Sequence, residues 1–131
     1  MQIYKFGGAS VKNAEGIKNL ARVLKSVGYD KTLIIVSAMG KTTNAMEKVV
    51  SNYFDAKHKL NSSIQEVKKY HNNILLDLFS NENSTVFENI DNLFQELLHF
   101  FDHNKSPNYN FVYDQVIGFG ELISTTIISH Y

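Results

Sequence analysis

The 131-residue chain has no cysteine, one proline and no apolar run that approaches the ~20 residues of a membrane span. The absence of cysteine excludes a disulfide framework and thiol chemistry, and it fits a reducing compartment. The first residues, MQIYKFGG, enter a strand-like segment directly and lack the charged and apolar regions of a signal peptide. We therefore expect a cytoplasmic protein.

An excess of charge of either sign is absent as well. Thirteen basic and thirteen acidic side chains cancel, and no block of like charge stands out. This balance argues against a nucleic acid or an anionic membrane as a partner. The five histidines lack the spacing of metal ligands, so we predict no metal site and interpret His99 and His103 as a surface pair. With 44% hydrophobic residues, the chain should form one domain over residues 1–131.

The stretch IIVSAMGKTTN at residues 34–44 contains Gly-Lys-Thr after an apolar run, as a nucleotide-binding P-loop does. It lacks the first glycine of that motif. That glycine lets the backbone wrap around the β-phosphate, and Ile35 occupies its position. Because a β-branched residue favours a strand over such a turn, the P-loop is excluded and these residues need another function.

The hydrophobic pattern predicts an α/β fold that opens with a βαβ unit. Residues 2–6 and 32–37 have the composition of strands, and the second is a nearly continuous apolar run, typical of a strand buried on both faces of a parallel sheet. Between them, Asn13 is expected to cap a helix that Gly28 ends. The apolar positions of this helix follow the helical period: Ile17, Leu20, Ala21, Leu24 and Val27.

The residues that follow are predicted to be mainly helical. One helix covers about residues 42–57. Two further apolar stripes, at residues 64–78 and 86–101, predict an antiparallel helical hairpin with a turn at 80–84.

Lys5 is a charged residue in an otherwise apolar strand, and KFGGAS brings two glycines directly after it. The carboxyl ends of strands in open α/β sheets are where ligands bind, and a glycine loop there leaves N–H groups free for phosphate oxygens. The pattern is therefore compatible with phosphate binding by Lys5, Gly7 and Gly8. It is also compatible with a lysine that has no role.

Hydroxyl and amide side chains follow the second strand, at the start of the next helix. They are Ser37, Thr42, Thr43 and Asn44. This placement suits an anionic ligand such as a carboxylate. The alternative is that Thr42 or Thr43 simply caps the helix.

The last helix, about residues 109–131, contains Gly118 and Gly120. Each costs ~1 kcal/mol relative to alanine inside a helix, so we expect another part of the chain to approach closely there. Glu121 follows in GFGELIS, with Ser124 one turn on. This glutamate is either a solvated edge residue or a carboxylate that binds an ammonium group.

These motifs, KFGGASV at 5–11, VSAMGKTTN at 36–44 and GFGELIS at 118–124, resemble those of the aspartate kinases of the amino-acid kinase superfamily. They stand in that family's order and in roughly its spacing. Superfamily members that act on glutamate, acetylglutamate, carbamate or uridylate have different glycine loops, so the resemblance points to aspartate. Ala9 departs from the family, in which threonine is commoner at this position.

The resemblance implies a three-layer α/β sandwich with a mainly parallel sheet, of which residues 1–131 would be the N-terminal half. In that family Lys5 would be the catalytic cation at the ATP phosphates, and Glu121 would bind the α-amino group of aspartate. The implied positions are Lys5, Gly7, Gly8 and Ser10 for the phosphates, and Ser37, Thr43 and Glu121 for aspartate.

The implied reaction transfers the γ-phosphoryl group of ATP, bound with Mg²⁺, to the side-chain carboxylate of L-aspartate. The product would be 4-phospho-L-aspartate, in the first step of lysine, threonine and methionine biosynthesis. No protein ligand for Mg²⁺ can be assigned from the sequence. The resemblance also implies a homo-oligomer in the full-length protein.

Aspartate kinases are much longer chains. Their substrate-clamping arginine, a second phosphate-binding lysine, the adenine pocket and regulatory domains would all follow residue 131. We therefore expect these 131 residues to be a fragment that is inactive alone. The alternatives are a non-catalytic half-domain used for binding or assembly, and another member of the superfamily.

Overall fold

The computed structural model describes residues 1–80 and 84–131. Strands β1 (Gln2–Phe6) and β2 (Thr32–Val36) are joined by helix α1 (Ala14–Val27). The strands pair in parallel, with Gln2 opposite Thr32 and Phe6 opposite Val36. The predicted βαβ unit is thus confirmed.

Helix α1 begins and ends where the sequence predicts. The Asn13 side chain accepts a hydrogen bond of 2.9 Å from the Gly16 N–H, which satisfies one of the free donors of the first turn. Gly28 follows the helix with φ of +82°, a conformation that side chains disfavour. The buried residues of α1 are Ala14, Ile17, Leu20 and Leu24.

Four further helices follow. They are α2 (Thr42–Asp55), α3 (Leu60–Leu78), α4 (Thr85–His103) and α5 (Tyr109–His130), with a 3₁₀ turn at Lys57–Lys59. Helix α2 ends two residues before its predicted limit because Ala56 leaves the helical conformation, with φ of −151° and ψ of 62°. The turn predicted at 80–84 falls largely on residues 81–83, which lie outside the described residues.

Helices α3 and α4 run antiparallel, as the predicted hairpin requires. Lys68 Nζ lies 2.7 Å from Asp91 Oδ1, and the rings of Phe79 and Phe87 lie 6.5 Å apart nearer the connection. Helices α2 and α5 pack on this pair and on each other, which gives a four-helix arrangement. Its fully buried side chains include Met46, Ile64, Leu75, Ile90, Phe94, Leu97, Ile123 and Ile127.

The prediction that β2 is buried on both faces is wrong in this structure. Leu33 is 47% exposed and Ile35 is 45% exposed. Among the described residues, β2 has β1 as its only hydrogen-bonded neighbour, and the sheet has two strands. The strand therefore has the composition of a buried strand without the neighbours that would cover it. Within the same described ranges, no helix combines the length and hydrophobicity needed to span a bilayer.

Candidate functional site

The loop after β1 packs directly on the loop after β2. The Gly40 N–H donates a 2.9 Å hydrogen bond to the Gly8 carbonyl, and the Ser37 N–H donates one of 3.0 Å to Phe6. A Cβ atom at Gly8 would lie 2.8 Å from the Gly40 carbonyl oxygen and 2.9 Å from that of Ala38. The close contact thus requires glycine at position 8, and it brings the two loops together at the carboxyl ends of the strands.

Helix α5 reaches the same place. A Cβ atom at Gly120 would lie 3.2 Å from both Ala38 Cβ and Thr42 Cγ2, and the buried Ser124 hydroxyl donates a 2.7 Å hydrogen bond to the Ser37 carbonyl. The expected close approach is confirmed at Gly120.

At Gly118 the same expectation is wrong, because nothing lies within 4 Å of where its Cβ would be. Residues two positions apart in a helix point in nearly opposite directions. The contact that requires glycine at position 120 therefore does not require it at position 118.

The three motifs therefore meet at one end of the sheet, although they are far apart in the sequence. Their functional candidates differ in exposure. Ser37 and Gly8 are half-buried between the loops. The exposed positions are Lys5, Gly7, Ser10, Thr43 and Glu121. Thr42 and Gly120 are in close contact. Thr43 directly follows Thr42 in the sequence, and Glu121 directly follows Gly120.

The start of α2 carries no side-chain cap, so the alternative in which Thr42 or Thr43 caps this helix is wrong. The Thr42 hydroxyl is buried and instead donates a 2.5 Å hydrogen bond to the Met39 carbonyl. Gly40 turns the chain into the helix with φ of +55°. Thr43 is left exposed in the first turn, where the helix dipole favours negative charge.

His71 on α3 contacts the same region and was not predicted to take part. It is fully buried, its Nδ1 lies 2.8 Å from the Val67 carbonyl, and its Nε2 lies 3.4 Å from Thr42 Oγ1. Burial lowers the pKa of His71 below its ordinary value of 6.5 and keeps the ring neutral at pH 7. Because the Val67 carbonyl can only accept, Nδ1 carries the hydrogen and Nε2 has none to donate. The one hydroxyl hydrogen of Thr42 is donated to Met39, so the 3.4 Å approach of Nε2 to Thr42 is a polar contact and not a second hydrogen bond.

The preceding residue, Tyr70, is a second contact that sequence reasoning missed. Its hydroxyl donates a hydrogen bond to the Lys12 carbonyl, across 58 positions of sequence. Burial raises the pKa of Tyr70 above its ordinary value of 10, so the phenol is a proton donor at neutral pH. The sequence does not indicate this contact, because the spacing of a partly exposed tyrosine on a helix does not identify its partner.

The single arginine is paired on the surface of α1. Arg22 on α1 makes a 2.8 Å ion pair with Glu15, and their side chains are 63% and 70% exposed. The hydrogen bond from Arg22 lowers the pKa of Glu15. In the part of the chain that the structure describes, no three His, Cys, Asp or Glu side chains cluster as metal ligands would.

The whole chain matches the model of the amino acid kinase family, over residues 1–131. The protein therefore belongs to that family. Among its relatives, it is 31% identical over 132 residues to the chloroplastic aspartokinase 2 of Arabidopsis thaliana and 30% identical over 133 residues to the chloroplastic aspartokinase 1 of that plant. Each match covers 98% of this chain, which spans 24% and 23% of the two relatives.

Solved structures show the same fold. Two structures of Escherichia coli aspartokinase III match with a TM-score of 0.82 at 20% sequence identity, one in complex with lysine and aspartate and the other with aspartate and ADP. Each match covers 98% of this chain and 28% of the bacterial chain. The predicted α/β fold of the amino-acid kinase type is thus confirmed.

Proposed function

We propose that this protein is an aspartate kinase, which transfers the γ-phosphoryl group of ATP to the side-chain carboxylate of L-aspartate. The observation that carries the proposal is the meeting of three motifs at the carboxyl ends of β1 and β2. The Gly8–Gly40 hydrogen bond joins the first two motifs, and the Ser124–Ser37 hydrogen bond joins the third. Similarity to the Arabidopsis aspartokinases over 98% of the chain supports the choice of aspartate.

The first loop suits the nucleotide. Lys5 supplies an exposed ammonium group near Gly7 and Gly8, and Ser10 adds an exposed hydroxyl. Phosphoryl transfer depends mainly on positioning and on charge that stabilises the moving group. Lys5 would therefore stabilise the β- and γ-phosphates, while the glycine backbone and Ser10 lie along them.

The second loop and α5 suit the amino acid. The hydroxyls of Ser37 and Thr43 can donate hydrogen bonds to a carboxylate. The exposed carboxylate of Glu121 can pair with the α-ammonium group, a charge-assisted interaction. Because Gly120 and Thr42 touch, these groups border the same part of the site.

Magnesium would accompany the nucleotide. It prefers oxygen ligands, retains several waters and binds substrate phosphates together with one or two carboxylates. The proposed phosphate loop offers an ammonium group, N–H donors and a hydroxyl, but no carboxylate. The ion would therefore be held by phosphate oxygens, with no protein ligand assigned among these residues.

The test is an assay of the full-length protein with ATP and L-aspartate, in which hydroxylamine traps the acyl phosphate as a hydroxamate. We expect ATP consumption that depends on aspartate and a matching yield of hydroxamate. L-Glutamate serves as the control, since it has the same charged groups and one more methylene. Faster turnover with glutamate, or ATP consumption without hydroxamate, would contradict the proposal.

The same assay addresses the alternative of a non-catalytic binding or assembly module. Residues 1–131 contain one arginine, Arg22, which is paired with Glu15 at the surface, so the groups assigned here include no guanidinium to clamp a carboxylate. Binding of ADP or aspartate without any turnover by the full-length protein would support the non-catalytic alternative.

We also propose a cytoplasmic location and a homo-oligomer for the full-length protein. The location is inferred from the sequence features, and the homo-oligomer from the resemblance to aspartate kinases.

A further inference from the structure

Tyr70 on α3 connects the two loops of the candidate site. Its hydroxyl donates a hydrogen bond to the Lys12 carbonyl, at the end of the segment that follows the first glycine loop. The same hydroxyl lies over Gly40 in the second loop. One phenol therefore contacts both loops from a helix that belongs to neither.

The local structure of Gly40 fits this contact. A Cβ atom at Gly40 would lie 2.5 Å from the Tyr70 hydroxyl oxygen, so any larger residue would displace the phenol. Gly40 also has φ of +55°, which side chains rarely adopt. Position 40 thus requires glycine for two reasons, its positive φ and its contact with the Tyr70 hydroxyl.

The contact continues from Gly40 to the first loop. The Gly40 N–H donates its 2.9 Å hydrogen bond to the Gly8 carbonyl, while Tyr70 holds Lys12 four positions further along the same segment. The segment from Gly8 to Lys12 is therefore held at both ends. The neighbouring His71 lies 3.4 Å from Thr42 at the start of α2, so the same turn of α3 also contacts the residue that follows the second loop.

We propose that Tyr70 is a positioning residue for phosphoryl transfer, whose hydroxyl holds the phosphate loop in register with the aspartate loop. This inference rests on the proposed function for its catalytic consequence. Transfer between two bound substrates requires the reacting atoms to be held at ~3–3.5 Å, and a misplacement of ~1 Å can cost ~100-fold in rate. Tyr70 would act on this alignment through the Lys12 and Gly40 backbone, without contacting either substrate.

The first measurement is the steady-state kinetics of Tyr70→Phe in the full-length protein, because this change removes one oxygen atom and keeps the ring. We expect kcat to fall about tenfold, while KM for ATP and KM for aspartate each stay within about threefold. The matched control is Tyr53→Phe. The Tyr53 hydroxyl also contacts a backbone carbonyl, that of Asn104 at 3.5 Å, but at the far end of α2. We expect its kinetics to stay within about twofold of wild type.

The second measurement does not depend on turnover. Hydrogen exchange of the Gly40 amide should be about fivefold faster in Tyr70→Phe, since a typical hydrogen bond changes a local opening equilibrium by about this factor. In Tyr53→Phe the Gly40 amide should exchange at the wild-type rate. This readout reports on the loops even in a protein that does not phosphorylate aspartate.

The two measurements separate the two hypotheses. Faster exchange at Gly40 together with a reduced kcat supports the inference. Faster exchange in a protein whose wild type has no kinase activity supports the loop contact and contradicts the proposed function. Unchanged exchange at Gly40, or unchanged kcat in an active enzyme, overturns the positioning role of Tyr70.

Discussion

The helices α2–α5 and the strands β1 and β2 contain similar apolar residues but bury them very differently. Phe94 and Ile90 in α4 are each 1% exposed, whereas Leu33 and Ile35 in β2 are 47% and 45% exposed. The buried core therefore comes mainly from helices, and Tyr4, Phe6 and Val36 of the strands pack against it only partly buried. The main contribution of the strands is the pair of loops at their carboxyl ends, where the three motifs meet.

The largest effect that this comparison predicts is the loss of kinase activity when the 131 residues are tested alone. The helical core can form within them, but their single arginine, Arg22, is paired with Glu15 on the surface of α1. A dicarboxylate amino acid calls for a guanidinium or several ammonium groups, and phosphoryl transfer calls for more than one cation. A coupled ATP-consumption assay with aspartate should detect no turnover.

The control for that assay is the full-length protein under the same conditions. Turnover by the 131 residues within tenfold of the full-length rate would show that they already contain a complete site. The division into a self-sufficient helical region and an incomplete site would then be wrong.

A pair of core substitutions compares the two regions directly. Phe94→Ala should lower the free energy of unfolding of the 131-residue chain by about 3–5 kcal/mol, because it leaves a cavity among buried side chains. Ile35→Ala should cost about 1 kcal/mol or less, because nearly half of that residue is already in water. Urea denaturation followed by circular dichroism measures both. Equal losses would show that β2 is covered in solution.

Much of the fold could be predicted because the patterns that define it are local. The helical period and Asn13 with Gly28 gave the limits of α1, and the cost of glycine in a helix predicted the close approach at Gly120. Exposure of β2 could not be predicted in this way. An apolar run shows that a strand can be buried, and only the neighbouring elements decide whether it is.

The motifs of the candidate site could be predicted from the sequence, but the residues that hold its loops in place could not. Lys5 and the glycine loop stand out from their surroundings in the sequence. The contact of Tyr70 with Lys12 does not, since the two residues are 58 positions apart and neither breaks a local pattern. His71 lies at the helical spacing of the apolar stripe at residues 64–78, which indicates burial but says nothing of its polar contact with Thr42.

Substitution of Lys5 tests whether the catalytic groups lie at the carboxyl ends of the strands. In the full-length protein, Lys5→Ala should lower kcat by about 100-fold, the usual effect of losing one preorganised charge-stabilising donor. Lys25→Ala is the matched control, because Lys25 is an exposed lysine in the last turn of α1. Its kcat should stay close to wild type. Nearly wild-type turnover in Lys5→Ala would remove this residue from the mechanism.

His71, in the helical core, should have a smaller and pH-dependent effect on the free energy of unfolding. Burial lowers its pKa in the folded state, so the unfolded chain binds the proton first as the pH falls below 6.5. The free energy of unfolding should therefore decrease from about pH 6.5 down to the lowered pKa of the folded state. Urea denaturation at about pH 7.5 and about pH 5.5 should show a larger loss in wild type than in His71→Gln. An equal loss in both proteins would mean that His71 is not the group responsible.

The central claim is that the loop after β1 binds ATP, while the loop after β2, the start of α2 and helix α5 bind aspartate. The Michaelis constants of Thr43→Ala and Glu121→Ala test it most directly. Thr43 follows Thr42 and Glu121 follows Gly120 in the sequence, Thr42 and Gly120 are in contact, and both Thr43 and Glu121 are assigned to aspartate. In the full-length protein, each substitution should raise KM for aspartate about tenfold, as expected for the loss of one hydrogen bond or ion pair to a charged group. KM for ATP should stay within about twofold. A larger rise in KM for ATP than in KM for aspartate would contradict the assignment of the two loops.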